Sequence, residues 1–126
     1  MQISTPLGDA LVKYLDLTSD QMKLTAGNMA NIDTPGYKTQ GFDFASEFGR
    51  AMGSPMPGIG AGVSGATTSP RIGEVDGLVA RPDGNTVSLD REAMQLAKAQ
   101  LQFRTGVALL KTEYNRVLSA IHMDGK

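Results

Sequence analysis

Residues 89–121, LDREAMQLAKAQLQFRTGVALLKTEYNRVLSAI, carry the pattern that decides the fold. One stripe of side chains recurs along this stretch in alternating steps of four and three residues, and Gln100 is its one polar member. The stripe consists of Leu89, Ala93, Leu96, Gln100, Phe103, Val107, Leu110, Tyr114, Val117 and Ile121. Such a repeat is typical of a helix that packs along its whole length. We therefore predict a helix over 88–122, with Ser88 as its N-cap and acidic residues in its first turns.

A second helix is predicted near the N-terminus, over residues 5–32. Thr5 suits the N-cap and Pro6 the first helical position, where a missing N–H costs nothing. Its main stripe is Leu11, Leu15, Thr18, Met22, Thr25, Met29 and Ile32, and a second apolar stripe lies beside it. We expect Asn31 to end the helix in a left-handed conformation. Pro35-Gly36 then fits the centre of a type II turn, where glycine accepts a positive φ.

The middle of the chain has a different composition. Residues 53–86 contain eight Gly and four Pro, so this part is expected to be a flexible or irregular insert with a small β-hairpin at 70–81. Upstream, Phe42, Phe44 and Phe48 predict a short helix or an extended aromatic anchor over 42–52. The predicted divisions are an N-terminal coiled-coil helix (1–33), a turn and aromatic anchor (34–52), an insert (53–87) and a C-terminal coiled-coil helix (88–126), with the two helices forming one domain.

These elements predict a mainly α fold in which two long terminal helices pair as an antiparallel coiled coil. A hairpin of two helices buries only one side of each, and small chains bury a low fraction of their surface. The second apolar stripe therefore favours further chains packed alongside, as in a filament or bundle with open contacts. The competing interpretation is a small helical domain that uses the insert as a lid.

Composition excludes several classes of function. The 126 residues have a net charge of −1, which argues against an electrostatic grip on nucleic acid. There is no Cys and one His, and the carboxylates show no pairing typical of acid–base catalysis. We therefore expect no enzyme activity, no catalytic residue, no metal and no cofactor. No stretch has the ~18 uninterrupted apolar residues of a membrane span, and Met1–Pro6 lacks the features of a cleaved signal peptide.

Two segments resemble elements of a known family. Asn28-Met-Ala-Asn-Ile-Asp-Thr-Pro-Gly-Tyr-Lys38 is similar to the ANxxTPGY(K/R) element that closes the N-terminal helix of bacterial flagellar axial proteins. Asp83-Gly-Asn-Thr-Val-Ser-Leu-Asp-Arg-Glu92 looks like the DGNxVxLxxE element that opens their C-terminal helix. The chain length and the Asp33-Thr34-Pro35 sequence are most similar to the proximal-rod group of the flagellar basal body. The resemblance covers 7–48 and 82–122, about two thirds of the chain.

The resemblance implies a structural subunit that assembles with copies of itself and with other rod and basal-body proteins. It also implies terminal helices that are largely unfolded before assembly, export through the flagellar type III apparatus without a cleaved signal, and a place in the rod where it crosses the periplasm. The alternative is a soluble helical export chaperone or adaptor. A rod subunit should be partly unfolded when purified, whereas an adaptor should be a folded dimer.

The residues expected at assembly contacts lie on the two helices and in the turn between them. They are Leu11, Leu15, Met22, Asn28, Met29, Asn31, Thr34, Pro35, Gly36, Tyr37, Leu96, Gln100, Phe103, Val107, Leu110, Tyr114, Val117 and Ile121. Several have a second interpretation: the two Asn could cap the helix and contact solvent, Pro35-Gly36-Tyr37 could only stop it, and Gln100 could either fix the register or face water. Gly27 and Gly106 are explained equally by close helix approach and by simple tolerance.

Overall fold

The computed structural model describes residues 4–53, 69–123 and 125. Two long helices dominate it, α1 over Pro6–Ala30 and α3 over Leu89–Met123. A short helix, α2 over Phe44–Ala51, and two short strands, β1 over Gln40–Gly41 and β2 over Gly73–Glu74, lie between them in the chain. The Gly-rich run at 58–65 lies outside the described residues, and the predicted divisions of the chain stay predictions.

The start of α1 follows its sequence signals. The Thr5 hydroxyl accepts a hydrogen bond from the Gly8 N–H at 3.0 Å, and Pro6 occupies the first turn. The expectation for Asn31 was wrong in one respect: it caps α1 at φ −102° and is not left-handed. Its side-chain amide donates to the Gly27 carbonyl at 2.8 Å, so it satisfies a terminal acceptor of the helix without a positive φ.

The turn after α1 has the predicted form. The Tyr37 N–H donates to the Thr34 carbonyl at 3.2 Å, and Gly36 has φ +73°. A hydrogen bond across four residues with a positive φ at the third is the geometry of a type II turn. The Pro35-Gly36 prediction is therefore confirmed.

The α2 helix turns the phenylalanine-rich segment onto α1. Asp43 caps it, accepting from the Ala45 N–H at 3.2 Å and from the Ser46 hydroxyl at 2.7 Å. The Ser46 hydrogen bond is the main reason that the pKa of Asp43 lies below its ordinary value. The rings of Phe44 and Phe48 meet Tyr14 edge-on, with centroids 5.3 and 5.8 Å apart. The aromatic segment thus covers the adjacent helix of the same chain, as expected, and its helical form is the one adopted.

The hairpin expected at 70–81 is not formed. That range contains β2, but β2 pairs antiparallel with β1, Gln40 opposite Glu74 and Gly41 opposite Gly73. The Val75 N–H continues the pairing by donating to the Thr39 carbonyl at 2.9 Å. A Cβ at Gly41 would lie 2.6 Å from a Val75 methyl, so the Val75 side chain packs directly against the Gly41 backbone. The strand's partner is a segment 33 residues away, which local sequence patterns do not identify.

The α1 and α3 helices run antiparallel, as predicted. Thr5 at the start of α1 contacts Glu113, and Asn28 near its end contacts Glu92. Since Glu113 lies opposite the first turn of α1, the last turns of α3, from 114 to 123, extend past it by about 15 Å. None of the helices in the described residues has the length and apolarity to cross a membrane.

Candidate assembly surface

Two buried asparagines fasten the end of the hairpin where α1 stops and α3 starts. Asn28 is almost fully buried and makes four hydrogen bonds. Its amide nitrogen donates to the Gln40 carbonyl at 2.8 Å and to the Glu92 carboxylate at 3.1 Å. Its oxygen accepts from the Tyr37 hydroxyl at 3.1 Å and the Gln40 N–H at 3.0 Å. All these partners belong to the same chain, so Asn28 joins α1, the turn, β1 and α3 to one another.

Asn85, in the loop before α3, also binds the end of α1. It is completely buried, and its amide nitrogen lies 2.8 to 3.1 Å from the carbonyls of Asn31, Ile32 and Thr34, where α1 ends. Its oxygen accepts from the Val87 N–H at 2.8 Å. One side chain thus binds three carbonyls at the end of α1, two of which also accept from backbone N–H groups: Asn31 from Thr34 at 3.1 Å and Thr34 from Tyr37 at 3.2 Å. Its place in the Asp83-Gly-Asn element was the signal in the sequence, but Asn85 was not among the residues singled out.

The turn itself lies on the surface of this end. Thr34, Pro35 and Gly36 are exposed, while Tyr37 is half-buried. The Gly36 N–H donates to the Asp83 carbonyl at 2.9 Å, so the turn is held against the loop before α3. The turn is therefore a fixed surface feature, and its contact with a neighbouring subunit stays a prediction.

The residues of α3 that face α1 are small or polar. Glu92, Ala99, Gly106 and Glu113, spaced by seven residues, are its buried positions. A Cβ at Gly106 would lie 2.8 Å from a Leu15 methyl and 3.2 Å from the Tyr14 ring, so close helix approach explains this glycine. Gly27 has no such neighbour within 4 Å, which leaves tolerance as its explanation.

The predicted stripe of α3 is displaced by one residue from this buried column. Ala93, Gln100, Val107 and Tyr114 each follow a buried residue, about 100° further around the helix, and all four are exposed. The stripe's other column lies between the two and is half-buried at Leu96, Phe103, Leu110 and Val117. Gln100 faces solvent, so a register role for it inside the hairpin was wrong.

On α1 the predicted stripe does reach the seam, the line of contact between α1 and α3. Leu11, Thr18 and Thr25 are buried, and the alternate positions Leu15, Met22 and Met29 are half-buried. Tyr14 lies on the side that α2 covers. Leu15, the next residue, lies about 100° further around, on the opposite side. On α3, the step from Gly106 to Val107 is the same rotation of about 100°. Because the helices are antiparallel, the two rotations lead to the same side of the pair, so Leu15 and Val107 border one face.

We call this side of the hairpin the open face, because α2 lies on the other side. It combines the half-buried column Leu15, Met22 and Met29 of α1 with the displaced stripe of α3. Val107 is 44% exposed, Tyr114 is 56% exposed, and Leu89, Leu118 and Ile121 are similarly open. Monomeric proteins rarely leave an apolar surface of this length in water, and such surfaces mark sites of protein contact.

The rest of the described surface was searched for a metal site and for a cavity. The described residues include no cluster of His, Asp and Glu arranged to hold a metal ion. A cavity of about 330 Å³ lies between α1, the strands and α3, and side chains such as Gln21, Gln40, Glu74 and Arg91 line it. Its Glu92 carboxylate is engaged by Asn28 and, at 2.8 Å, by Arg91.

Comparison with known proteins finds relatives whose sequences align with most of this chain, although no family model matches it. The chain is 32% identical to the flagellar basal body rod protein FlgB of Salmonella typhimurium, over 90% of this chain and 94% of the relative. It is 30% identical to FlgB of Escherichia coli K12 over the same shares. It is 32% identical to FlgB of Cereibacter sphaeroides, over 85% of this chain and 87% of the relative.

Proposed function

Because this chain belongs to the FlgB family of flagellar basal body rod proteins, we propose that it enters the rod through the open face of its helical hairpin. As a family member it is a structural subunit of the rod and not an enzyme. The expectation drawn from the two sequence elements is thereby confirmed. The alternative of an export chaperone or adaptor has no support.

One observation carries the proposal: the hairpin leaves exposed the column of its strongest apolar stripe that contains Val107 and Tyr114. The seam between α1 and α3 has Thr18, Thr25, Glu92 and Gly106 on it, whereas Val107 and Tyr114 remain in water. Each fully buried Val, Leu or Ile side chain contributes roughly 1.5–3 kcal/mol. Covering the open face with helices of neighbouring subunits therefore supplies the stabilisation that the separate chain lacks.

The partners proposed for the open face are copies of this chain and other rod proteins. The overhanging turns of α3 extend it lengthwise, since Tyr114, Leu118 and Ile121 are exposed beyond the start of α1. Contacts that continue from one copy to the next without closing produce a helical assembly. We further propose that the exposed Thr34-Pro35-Gly36 turn adds a contact at the other end, and that the chain leaves the cell interior through the flagellar type III apparatus without signal cleavage.

The test is a charge placed on the open face. Val107→Asp should abolish swimming in a strain that lacks the natural copy, because an unpaired carboxylate buried between subunits is costly. Since an unfolded chain in transit has no open face, the chain should still be exported. Thr105→Asp is the matched control, as it adds the same side chain at an exposed position on α3 away from this face. Motility rings and a secretion blot measure both, and normal swimming by the Val107→Asp strain would contradict the proposal.

A further inference from the structure

The open face has charges of opposite sign along its two outer borders. On α1, Asp9 and Asp16 are exposed and lie seven residues apart, about two helical turns, so they project from the same side of the helix. On α3, Arg104 and Lys111 are exposed and have the same spacing. We call the first pair the acidic border and the second pair the basic border.

Both borders lie at the same position relative to the seam. Val12 on α1 and Val107 on α3 each follow a buried residue and are exposed. Asp16 comes four residues after Val12, and Lys111 comes four residues after Val107, so each lies about 40° further around its helix. From the seam outward, each helix therefore has a buried column, an exposed column that contains a valine, and a charged column.

The four border charges have no ion-pair partner among the residues that the structure describes. Other charges on the same helices do have one. Lys23, the next member of the acidic column, pairs with Asp20 at 3.3 Å, and Arg116 on α3 pairs with Glu113 at 3.6 Å. The acidic and basic borders are therefore available to another molecule.

The two borders also match in height along the helix axes. A Cβ at Gly106 would lie 3.2 Å from the Tyr14 ring, so these two residues are level with each other. Because the helices are antiparallel, two residues forward on α1 and two residues back on α3 are level as well, which places Asp16 beside Arg104. The other acid and the other base lie seven residues away in opposite directions, so they also share one height.

A second copy placed beside the first at the same height would bring its α1 against the outer side of α3. Its acidic border then meets the basic border of the first copy. The exposed columns next to the borders match too, since Val12 comes within one residue of the height of Val107, and Ser19 within one residue of that of Gln100. A hydroxyl and an amide form a hydrogen bond, which gives the one polar member of the α3 stripe a partner.

A copy shifted by one heptad, about 10.5 Å, would lose this match. In one direction the shift brings Lys23 of one copy to Arg104 of the other, and the two charges are alike. In the other direction it places Gln100 opposite Val12. Like charges across an interface suppress an incorrect alignment, so the level arrangement is the one that the borders favour.

We propose that the open face binds a second copy of this chain, through an antiparallel contact between the basic border on α3 of one copy and the acidic border on α1 of the next. Opposite charges that flank an apolar column set the partner and the orientation of helices in coiled coils. Each copy uses a different edge of its hairpin, so every copy in the contact still has an edge for a third. The inference rests on the proposed function and adds the partner and the form of its contact.

The first test exchanges the charges in a strain that lacks the natural copy. Asp16→Arg and Arg104→Asp should each lose most of the swimming, because like charges then meet across the contact. The two changes together should restore it. Asp16→Arg with Lys98→Asp is the matched control, because it has the same total charge but places the new carboxylate at an exposed position on α3 away from the open face. It should stay as impaired as Asp16→Arg, while a secretion blot shows export of every variant.

The second test identifies the partner in the assembled rod, where the terminal helices are paired. The natural sequence has no Cys, so a strain that makes one version with Asp16→Cys and one with Arg104→Cys reports a contact between copies. Mild oxidation of isolated basal bodies should give a product of twice the mass of the chain on non-reducing gels. Either version alone should give no such product. Asp16→Cys with Lys111→Cys, which reports the shifted copy, should give none either, since a disulfide needs Cα atoms within about 7 Å.

Several outcomes would overturn the inference. They are normal swimming by both single charge variants, a double exchange that does not swim, a Cys product that forms only with Lys111→Cys, and a product with a protein of another mass. If Val107→Asp still abolishes swimming, each of these leaves the proposed function standing. Normal swimming by Val107→Asp would overturn the proposed function itself, whatever the charge variants do.

Discussion

At the scale of single residues, the end of the hairpin depends on two side-chain amides that bind backbone groups directly. Asn28 uses both donor and acceptor atoms to join three elements, while Asn85 places one nitrogen among three carbonyls. A carboxylate at either position would lack the donor, and a hydroxyl would not reach as far. These positions are fixed by hydrogen-bond geometry and not by helix propensity.

Asn85→Ala should destabilise the folded chain by about 1–3 kcal/mol, since it removes the amide that joins the end of α1 to the loop before α3 and leaves the buried Val87 N–H without its acceptor. Asn85→Asp should be worse than Ala, because its carboxylate would face those same carbonyls. Urea unfolding followed by circular dichroism measures both. Asn115→Ala, at an exposed position on α3, is the matched control and should change the free energy of unfolding little. Equal effects at positions 85 and 115 would contradict the capping role.

Gly36 is required for its backbone conformation and not for the space around it. Its φ is +73° and no atom lies within 4 Å of where a Cβ would be, so only backbone strain opposes a side chain. Left-handed geometry costs most residues about 1–2 kcal/mol, and Asn less. Motility should therefore decline in the order Asn, Ala, Val.

Secretion of the Gly36 variants should be unaffected, because an unfolded chain in transit has no turn to distort. Motility rings beside a secretion blot test the series. If Gly36→Val and Gly36→Asn swim equally well, the turn places no demand on φ, and its side chains would have to explain the motif.

At the scale of elements, Gly27 and Gly106 lie in helices for different reasons. A side chain at Gly27 would change only the helix propensity, whereas one at Gly106 would also change the packing. Gly27→Ala should stabilise α1 by up to about 1 kcal/mol, as its Cβ would meet nothing. Gly106→Leu should destabilise the hairpin by about 1–3 kcal/mol, because the new side chain must displace Leu15 and Tyr14. Thermal unfolding of the two variants gives the comparison. A stabilising Gly106→Leu would show that the helices are not in close contact there.

At the scale of the whole molecule, residues that precede and follow the glycine-rich stretch contact each other. The Arg50 guanidinium forms an ion pair with Glu47 and donates to the Ser69 carbonyl at 3.0 Å. The chain thus returns to α2 at Ser69, close to where it left. Beyond Ser69, β2 ties the return segment to β1.

Deleting a few residues from 58–65 should therefore leave export intact and reduce motility only slightly. The free energy of closing a loop changes slowly with its length, and this run offers few side chains for packing. A secretion blot and motility rings of the deletion strain provide the measurement. A complete block of export would mark the run as a recognition signal.

What the sequence determined by itself was local. Thr5 and Pro6 start α1, Pro35-Gly36 forms the turn, and the heptad repeat forms α3, because each signal acts within a few residues along the chain. The two sequence elements also identified the family, although not the role of Asn85 within it.

Only the tertiary structure decided which side of α3 faces α1. Hydrophobic periodicity predicted a seam through Val107 and Tyr114, yet the buried column is Glu92, Ala99, Gly106 and Glu113. Close approach of two backbones favours small side chains, and buried carboxylates are tolerated where Asn28 and Thr5 supply donors. These are contacts between residues 64 and 108 positions apart. A pattern read along one helix cannot contain them, because it records how apolar each side is and not what lies opposite.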